Sequence, residues 1–256
     1  ANALNQYTQV GAETFAYDAD GNMVSRTGPA GTTTYAYDVN NRLVRVEEPD
    51  GTVHEHEYDV LGNRVATVTD GVRTEFLVDP FGFGNTVGEF DAGGAKISEF
   101  HHGVALAAYD FKGTRLFKDL AGLGSVVGLT EAGEAVVQRY NYEPFGKVHS
   151  SQGEVDAPFR FIGGLGVSDD PDSSINMRAR NYDPELGRFL SEDPLWISGD
   201  PGNLSRYSFN DPINNSDPSG LMLSQDDWHS GPFPQGPELN GGGKWPPPRP
   251  QGYIDG

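Results

Sequence analysis

TFAYDADGNMVSRT (residues 14–27), TYAYDVNNRLVRVEE (34–48) and EHEYDVLGNRVATVT (55–69) are one pattern written three times. Tyr17-Asp18, Tyr37-Asp38 and Tyr58-Asp59 recur at intervals of 20 and 21 residues, and Val78-Asp79 continues the spacing in degraded form. In each copy an extended run ends at Tyr-Asp, a turn carrying Gly or Asn follows, and a second alternating run begins. The turn residues Asp20-Gly21-Asn22, Asn40-Asn41 and Gly62-Asn63 tolerate the positive φ that a hairpin needs. Gly31, Gly51 and Gly71 mark the opposite ends of the hairpins. One such hairpin cannot bury its own apolar face, so neighbours must stack into a continuing sheet.

The rest of the composition agrees. Across 256 residues, 34 Gly, 18 Pro, 14 Phe and 11 Tyr suit many short strands joined by tight turns. No stretch keeps an apolar helical period for three turns. The fold class expected is all-β. A formal charge of −19 repels phosphate backbones, which argues against a nucleic-acid partner, and it also aids solubility. No apolar run approaches the length needed to span a bilayer. The start, ANALNQYTQV, has no basic or apolar signal-peptide pattern, and beginning at Ala1 rather than Met fits a fragment of something longer. With zero cysteines, disulfide staples and thiolate metal sites are excluded. No cofactor is expected.

A second stretch, RARNYDPELGRFLSEDPLWISGDPGNLSRYSFNDPINNSDPSGL (178–221, from Arg178 to Leu221), holds five of the chain's seven Asp-Pro pairs. Proline fixes φ and removes a donor, so this segment must be turns with short extended pieces between them.

The hairpins resemble the YD repeats of the Rhs/YD-repeat family, which includes the C components of bacterial ABC toxin complexes and the teneurins. The segment 178–221 is similar to the family's Rhs-associated core: Arg-x-Tyr-Asp-Pro, then Gly187-Arg188-Phe189 leading to Asp193-Pro194, then Asn-Asp-Pro, and a closing Asp217-Pro218-x-Gly220-Leu221. The resemblance implies YD-repeat hairpins stacked into a spiralling sheet, a partial shell, with a turn-rich C-terminal core plug. It divides the chain into YD-repeat hairpins (1–80), a continuing wall (81–149), the core (150–221) and a Pro/Gly-rich tail where an effector begins (222–256). It also implies that the core is an intramolecular aspartyl protease, with Asp193 and Asp217 as the dyad, Arg180 as the supporting cation and Leu221–Met222 as the scissile bond. The partners implied are the chain's own C-terminal effector segment, the remaining N-terminal shell, and secretion-system or toxin-complex components. The localisation implied is secreted or cell surface, as part of a larger bacterial protein.

The chemistry is coherent. Two carboxylates sharing a site cannot both ionise cheaply, so one holds a proton to donate while the other takes one from water. Asp217 lies four residues before the bond, close enough for a turn at Pro218-Ser219-Gly220 to fold Leu221 back toward it. The bland reading is that an Asp before Pro caps nearby amides in a turn. Asp183, Asp200 and Asp211 are assigned so. Arg178 and Arg188 stand near enough to take Arg180's role, and Leu221 could equally anchor the core. The rival function is a non-catalytic surface or adhesion module that binds glycans or protein partners.

Other candidates carry less. His54 and His56 fall on one strand face, where alternating polar residues on a solvated face are expected rather than a metal site. His101 and His102 point apart if extended. The run Gly122 to Gly128 has the wrong glycine spacing for a phosphate loop, and Ser125 lacks a nucleophile-elbow context. The repeat tyrosines and phenylalanines are expected to pack across strands rather than to form a sugar-binding stripe. In the tail, Trp245 to Pro250 is read as a linker rather than a polyproline ligand.

Overall fold

The computed structural model describes residues 1–79, 84–102, 106–111, 113–155, 157–195 and 203–221. Met222, the tail beyond it and Asp200 lie outside the described residues. Among the described residues, fifteen strands form one antiparallel sheet in strict chain order. The repeats supply β1 (Gln9–Val10), β2 (Glu13–Tyr17), β3 (Met23–Gly28), β4 (Gly31–Tyr37), β5 (Leu43–Glu47), β6 (Val53–Tyr58), β7 (Arg64–Thr69) and β8 (Val72–Val78). The wall continues through β9 (Thr86–Asp91), β10 (Lys96–His102), β11 (Leu106–Phe111) and β12 (Thr114–Leu120). It ends with β13 (Val126–Glu131), β14 (Val136–Tyr142) and β15 (Val148–Gly153).

The Tyr-Asp pair divides two jobs. Asp18 Oδ1 accepts from the amides of Asp20 at 3.0 Å and Asn22 at 2.9 Å, closing the turn. Asp38 does the same with Asn40 and Arg42, and Asp59 with Leu61 and Asn63. The tyrosine staples its hairpin to the one before: Tyr37 donates to Met23 O at 3.0 Å and Tyr58 to Leu43 O at 2.8 Å. Tyr142, followed by Glu143, repeats the staple on Val126 O. A register shift directly precedes Tyr17, Tyr37, Tyr58 and Tyr142. Such a bulge turns the strand locally, and each tyrosine keeps to the inward face of its strand while its hydroxyl reaches the neighbouring backbone.

Alternation sorts the two faces. On β6, Glu55 and Glu57 are exposed and pair with Arg45 at 3.0 Å and Arg73 at 2.6 Å on the outer face. His54 and His56 are both 4 % exposed and point inward, donating or accepting at Thr69 and Thr67 across the strand pair. The expectation of a solvated face for these histidines is therefore corrected. Burial, reinforced by the nearby Arg64 charge, pushes the His56 imidazole down to about 3, so it stays neutral.

The inner face is covered by the chain after β15. There β16 (Ser168–Asp169), β17 (Ile175–Met177), β18 (Arg180–Asp183) and β19 (Arg188–Phe189) make a small antiparallel sheet. Its aromatic centre is Phe161, Tyr182, Phe189 and Tyr207, with Tyr182 and Tyr207 ring centroids 4.6 Å apart. Leu190 reaches the first repeats, packing with Phe15, Met23, Leu43 and Val46. Phe159 packs edge-on against Phe100 of the wall, centroids 4.8 Å apart. The result is a curved β wall around a turn-rich plug, a partial shell of the kind the repeats imply.

Candidate functional site

The site forms where the end of the core loops back over the β17–β18 turn. That turn is tight: Met177 pairs with Arg180, and Arg178 sits at φ 60°, its amide held by Asn176 Oδ1 at 2.9 Å. Three successive residues of the turn capture three successive carbonyls of the closing motif. Arg178 Nη1 donates to Pro218 O, the Ala179 amide to Ser219 O at 3.1 Å, and Arg180 Nε to Gly220 O. Gly220 has φ 66°, and a Cβ there would stand 2.3 Å from Met177 O and 3.0 Å from Arg180 N. Only glycine lets the two backbones approach this closely.

Arg180 is the hub. It is 3 % exposed, its guanidinium stacked over the Phe189 ring at 3.6 Å. Nη1 donates to Leu204 O at 2.9 Å, and Nη2 faces Asp193 Oδ2 at 2.9 Å and Asp217 Oδ2 at 3.5 Å. Asp193 is fully buried and Asp217 is 7 % exposed. Each aspartate points its other oxygen at a turn amide: Asp193 Oδ1 accepts from Leu195 N at 2.9 Å, and Asp217 Oδ1 from Leu221 N at 3.1 Å. Each carboxylate thus caps a turn amide with one oxygen and faces Arg180 with the other.

Of the three arginines that could have met the pair, Arg180 is the one placed between the aspartates. Arg178 holds Pro218, Asn85 and Leu165, and Arg188 stacks on Tyr7 and donates to its hydroxyl at 3.1 Å. Gly187, at φ 67°, lets the β18–β19 turn pass against Phe145. Pro218 is buried beneath the loop, whereas Pro194 is exposed. Asp183 and Asp211 are turn residues: Asp183 Oδ1 accepts from Glu185 and Leu186 amides, and Asp211 holds Asn214.

Burial raises the Asp217 carboxyl above the usual carboxylate range, against the pull of Arg180 and with the help of the Asp193 charge. Burial likewise lowers Arg180 from its ordinary value, against both aspartates. Two carboxylates sharing one guanidinium, with Asp217 shifted toward its protonated form, make an arrangement that acid–base hydrolysis can use. Ser219, missed in the sequence, stands among these groups: its Oγ lies 2.9 Å from Asp217 Oδ1 and 3.0 Å from Leu221 O. The signal was available, because a hydroxyl two residues after an Asx is placed to join its turn. Among the described residues no group of three His, Cys, Asp or Glu side chains could hold a metal.

Known proteins share both the wall and the plug. The family described as RHS Repeat matches residues 17–53 and 37–75, and that described as Teneurin YD-shell matches 105–214. The tRNA3(Ser)-specific nuclease WapA of Bacillus spizizenii is 29 % identical over 232 residues, 86 % of this chain and 10 % of that protein. Double-stranded DNA deaminase toxin A of Burkholderia cenocepacia is 36 % identical over 120 residues, 43 % of this chain and 8 % of that protein. This chain therefore spans about a tenth of the length of the curated relatives it matches. The crystal structure of TcdB2-TccC3 superposes with a TM-score of 0.58 at 16 % identity, covering 86 % of this chain and 15 % of that one, which establishes a shared fold. With one family description lying over the repeats and the other running from the wall into the plug, this chain belongs to the Rhs/YD-repeat family.

Proposed function

We propose that this chain is the C-terminal part of a YD-repeat shell that encloses an effector segment and releases it by intramolecular aspartyl proteolysis after Leu221. The observation that carries the reading is Arg180 Nη2 set between Asp193 Oδ2 and Asp217 Oδ2, with Leu221 bound to the far side of Asp217. The Arg180 Nε and Nη1 bonds to Gly220 O and Leu204 O fix that guanidinium and hence the pair.

Asp193 takes a proton from water as the water oxygen bonds to the Leu221 carbonyl carbon. The carbonyl oxygen receives a proton from Asp217, giving a neutral gem-diol. On collapse the C–N bond between Leu221 and Met222 breaks, the leaving nitrogen takes the proton from Asp193, and the diol returns one to Asp217. Because the bond belongs to the same chain, effective molarity replaces substrate binding.

In this reading residues 1–80 and 81–149 are wall, 150–221 the self-cleaving core, and 222–256 the start of the released segment. The printed names of the relatives, a nuclease and a deaminase toxin, support a toxic effector downstream. Among the described residues no helix is long and apolar enough to cross a membrane. The test is electrophoresis of the freshly expressed full chain beside Asp193→Asn and Asp217→Asn. The reading expects a shortened wild-type band and two whole variants.

A further inference from the structure

We propose that Ser219 is a proton relay between Asp217 and the Leu221 carbonyl, a reading that rests on the autoproteolysis proposed above. Asp217 itself meets Leu221 through the amide nitrogen, at 3.1 Å, and the carbonyl oxygen is met instead by Ser219 Oγ at 3.0 Å. The same Oγ is 2.9 Å from Asp217 Oδ1. A hydroxyl has one proton to give and two lone pairs to accept with. When Ser219 gives its proton to Leu221 O, the proton that replaces it comes from Asp217 Oδ1, the carboxyl oxygen within reach.

The relay balances in both directions. As water attacks, the Oγ proton moves to the carbonyl oxygen and the Asp217 proton moves to Oγ, leaving Asp217 ionised and Ser219 neutral. As the gem-diol collapses, its proton returns to Oγ and the Oγ proton to Asp217. Burial, by favouring the protonated form of Asp217, keeps a proton on that carboxyl for the relay to use. The geometry is held by the backbone: the Ala179 amide fixes Ser219 O at 3.1 Å, Leu221 N donates to Oγ at 3.1 Å, and Ser219 is 9 % exposed. On the other side of the carboxyl, Asp217 Oδ2 faces Arg180, so the two oxygens have separate duties.

A turn-capping serine would show the same contacts, so the test must separate chemistry from folding. The rate at which the shortened fragment appears is followed by pulse-chase in cell-free translation for the full chain, Ser219→Ala and Ser219→Thr. Thermal midpoints of both substitutions are read in an Asp193→Asn background, where every chain is expected to stay whole. The relay expects Ser219→Ala to slow cleavage by about 100-fold, the scale of a lost general acid, with Ser219→Thr within a few-fold of wild type and both variants still folded at the temperature of the cleavage assay. Ser219→Ala cleaving within about threefold of wild type would overturn it. So would slow cleavage in both variants that tracks a lowered midpoint, which assigns Ser219 to the turn alone. A wild-type chain that never shortens instead overturns the protease reading, and the relay with it.

Discussion

Arg64, on the first residue of β7, donates from Nη1 to both carboxylate oxygens of Asp170, 106 residues later in the chain. Their side chains are 5 % and 7 % exposed. Arg64 Nη2 also reaches Asn181 at 2.9 Å and Tyr58 at 3.1 Å, so one guanidinium ties a repeat tyrosine, the wall and the plug. Breaking a buried pair strands the other charge, which costs about 3–5 kcal/mol. Asp170→Ala should therefore lower the urea unfolding free energy by that order. The double substitution Arg64→Met, Asp170→Leu should be less harmful than Asp170→Ala alone, and equal or greater damage would contradict the pairing.

The tyrosine staples give a second prediction. Tyr37→Phe keeps the ring and removes the hydroxyl that donates to Met23 O. The cost should be about 1 kcal/mol, the net worth of one hydrogen bond plus a partly unmet carbonyl. Chemical denaturation checks this, and an unchanged midpoint would remove the tyrosine from its stapling role.

Gly220→Ala should block fragment release while leaving the wall intact. The added Cβ meets backbone atoms, Met177 O and Arg180 N, rather than a side chain that can turn away. The closing loop must lift, and Leu221 moves off Asp217. Cleavage near the wild-type rate, read by gel, would show that the loop geometry does not matter.

Asp172 carries a pH prediction. Burial and the adjacent Asp170 charge push its carboxyl up to about 7, against the Ser174 amide and hydroxyl. Among the described residues its buried Oδ2 meets no hydrogen-bond partner. An unfolded aspartate releases its proton near ~3.9, whereas the folded one keeps it to about 7. The folded state thus binds more protons in that window, and this group's contribution is full below the window and lost as pH rises through it. Asp172→Asn should melt higher than wild type at pH 8 and equally at pH 4. A variant less stable at pH 8 would reverse the sign.

How much of this could be read from the chain follows from what each residue does alone. Tyr37-Asp38 and Tyr58-Asp59 were legible because the aspartate closes its own turn within four residues, a local act that needs no tertiary context. His54 and His56 were misread because His-Glu-His-Glu offers no apolar marker for which face turns in. That is decided by the plug, which arrives a hundred residues later. Only the motif resemblance set Arg180 apart from Arg178 and Arg188, since Arg178 turns to Pro218, Asn85 and Leu165 and Arg188 to Tyr7 only once the plug meets the wall. Ser219 was legible as a turn partner of Asp217, but its contact with Leu221 O was not, because that oxygen becomes a neighbour only once Gly220 takes a positive φ.

The most direct test of the account is intact mass spectrometry of the chain translated in water enriched in oxygen-18. The account predicts a fragment ending at Leu221 with one heavy oxygen beyond translation controls and a second beginning at Met222, with Asp193→Asn and Asp217→Asn remaining whole. A wild-type chain left intact at neutral and mildly acidic pH, or the same cleavage persisting in both variants, would contradict it.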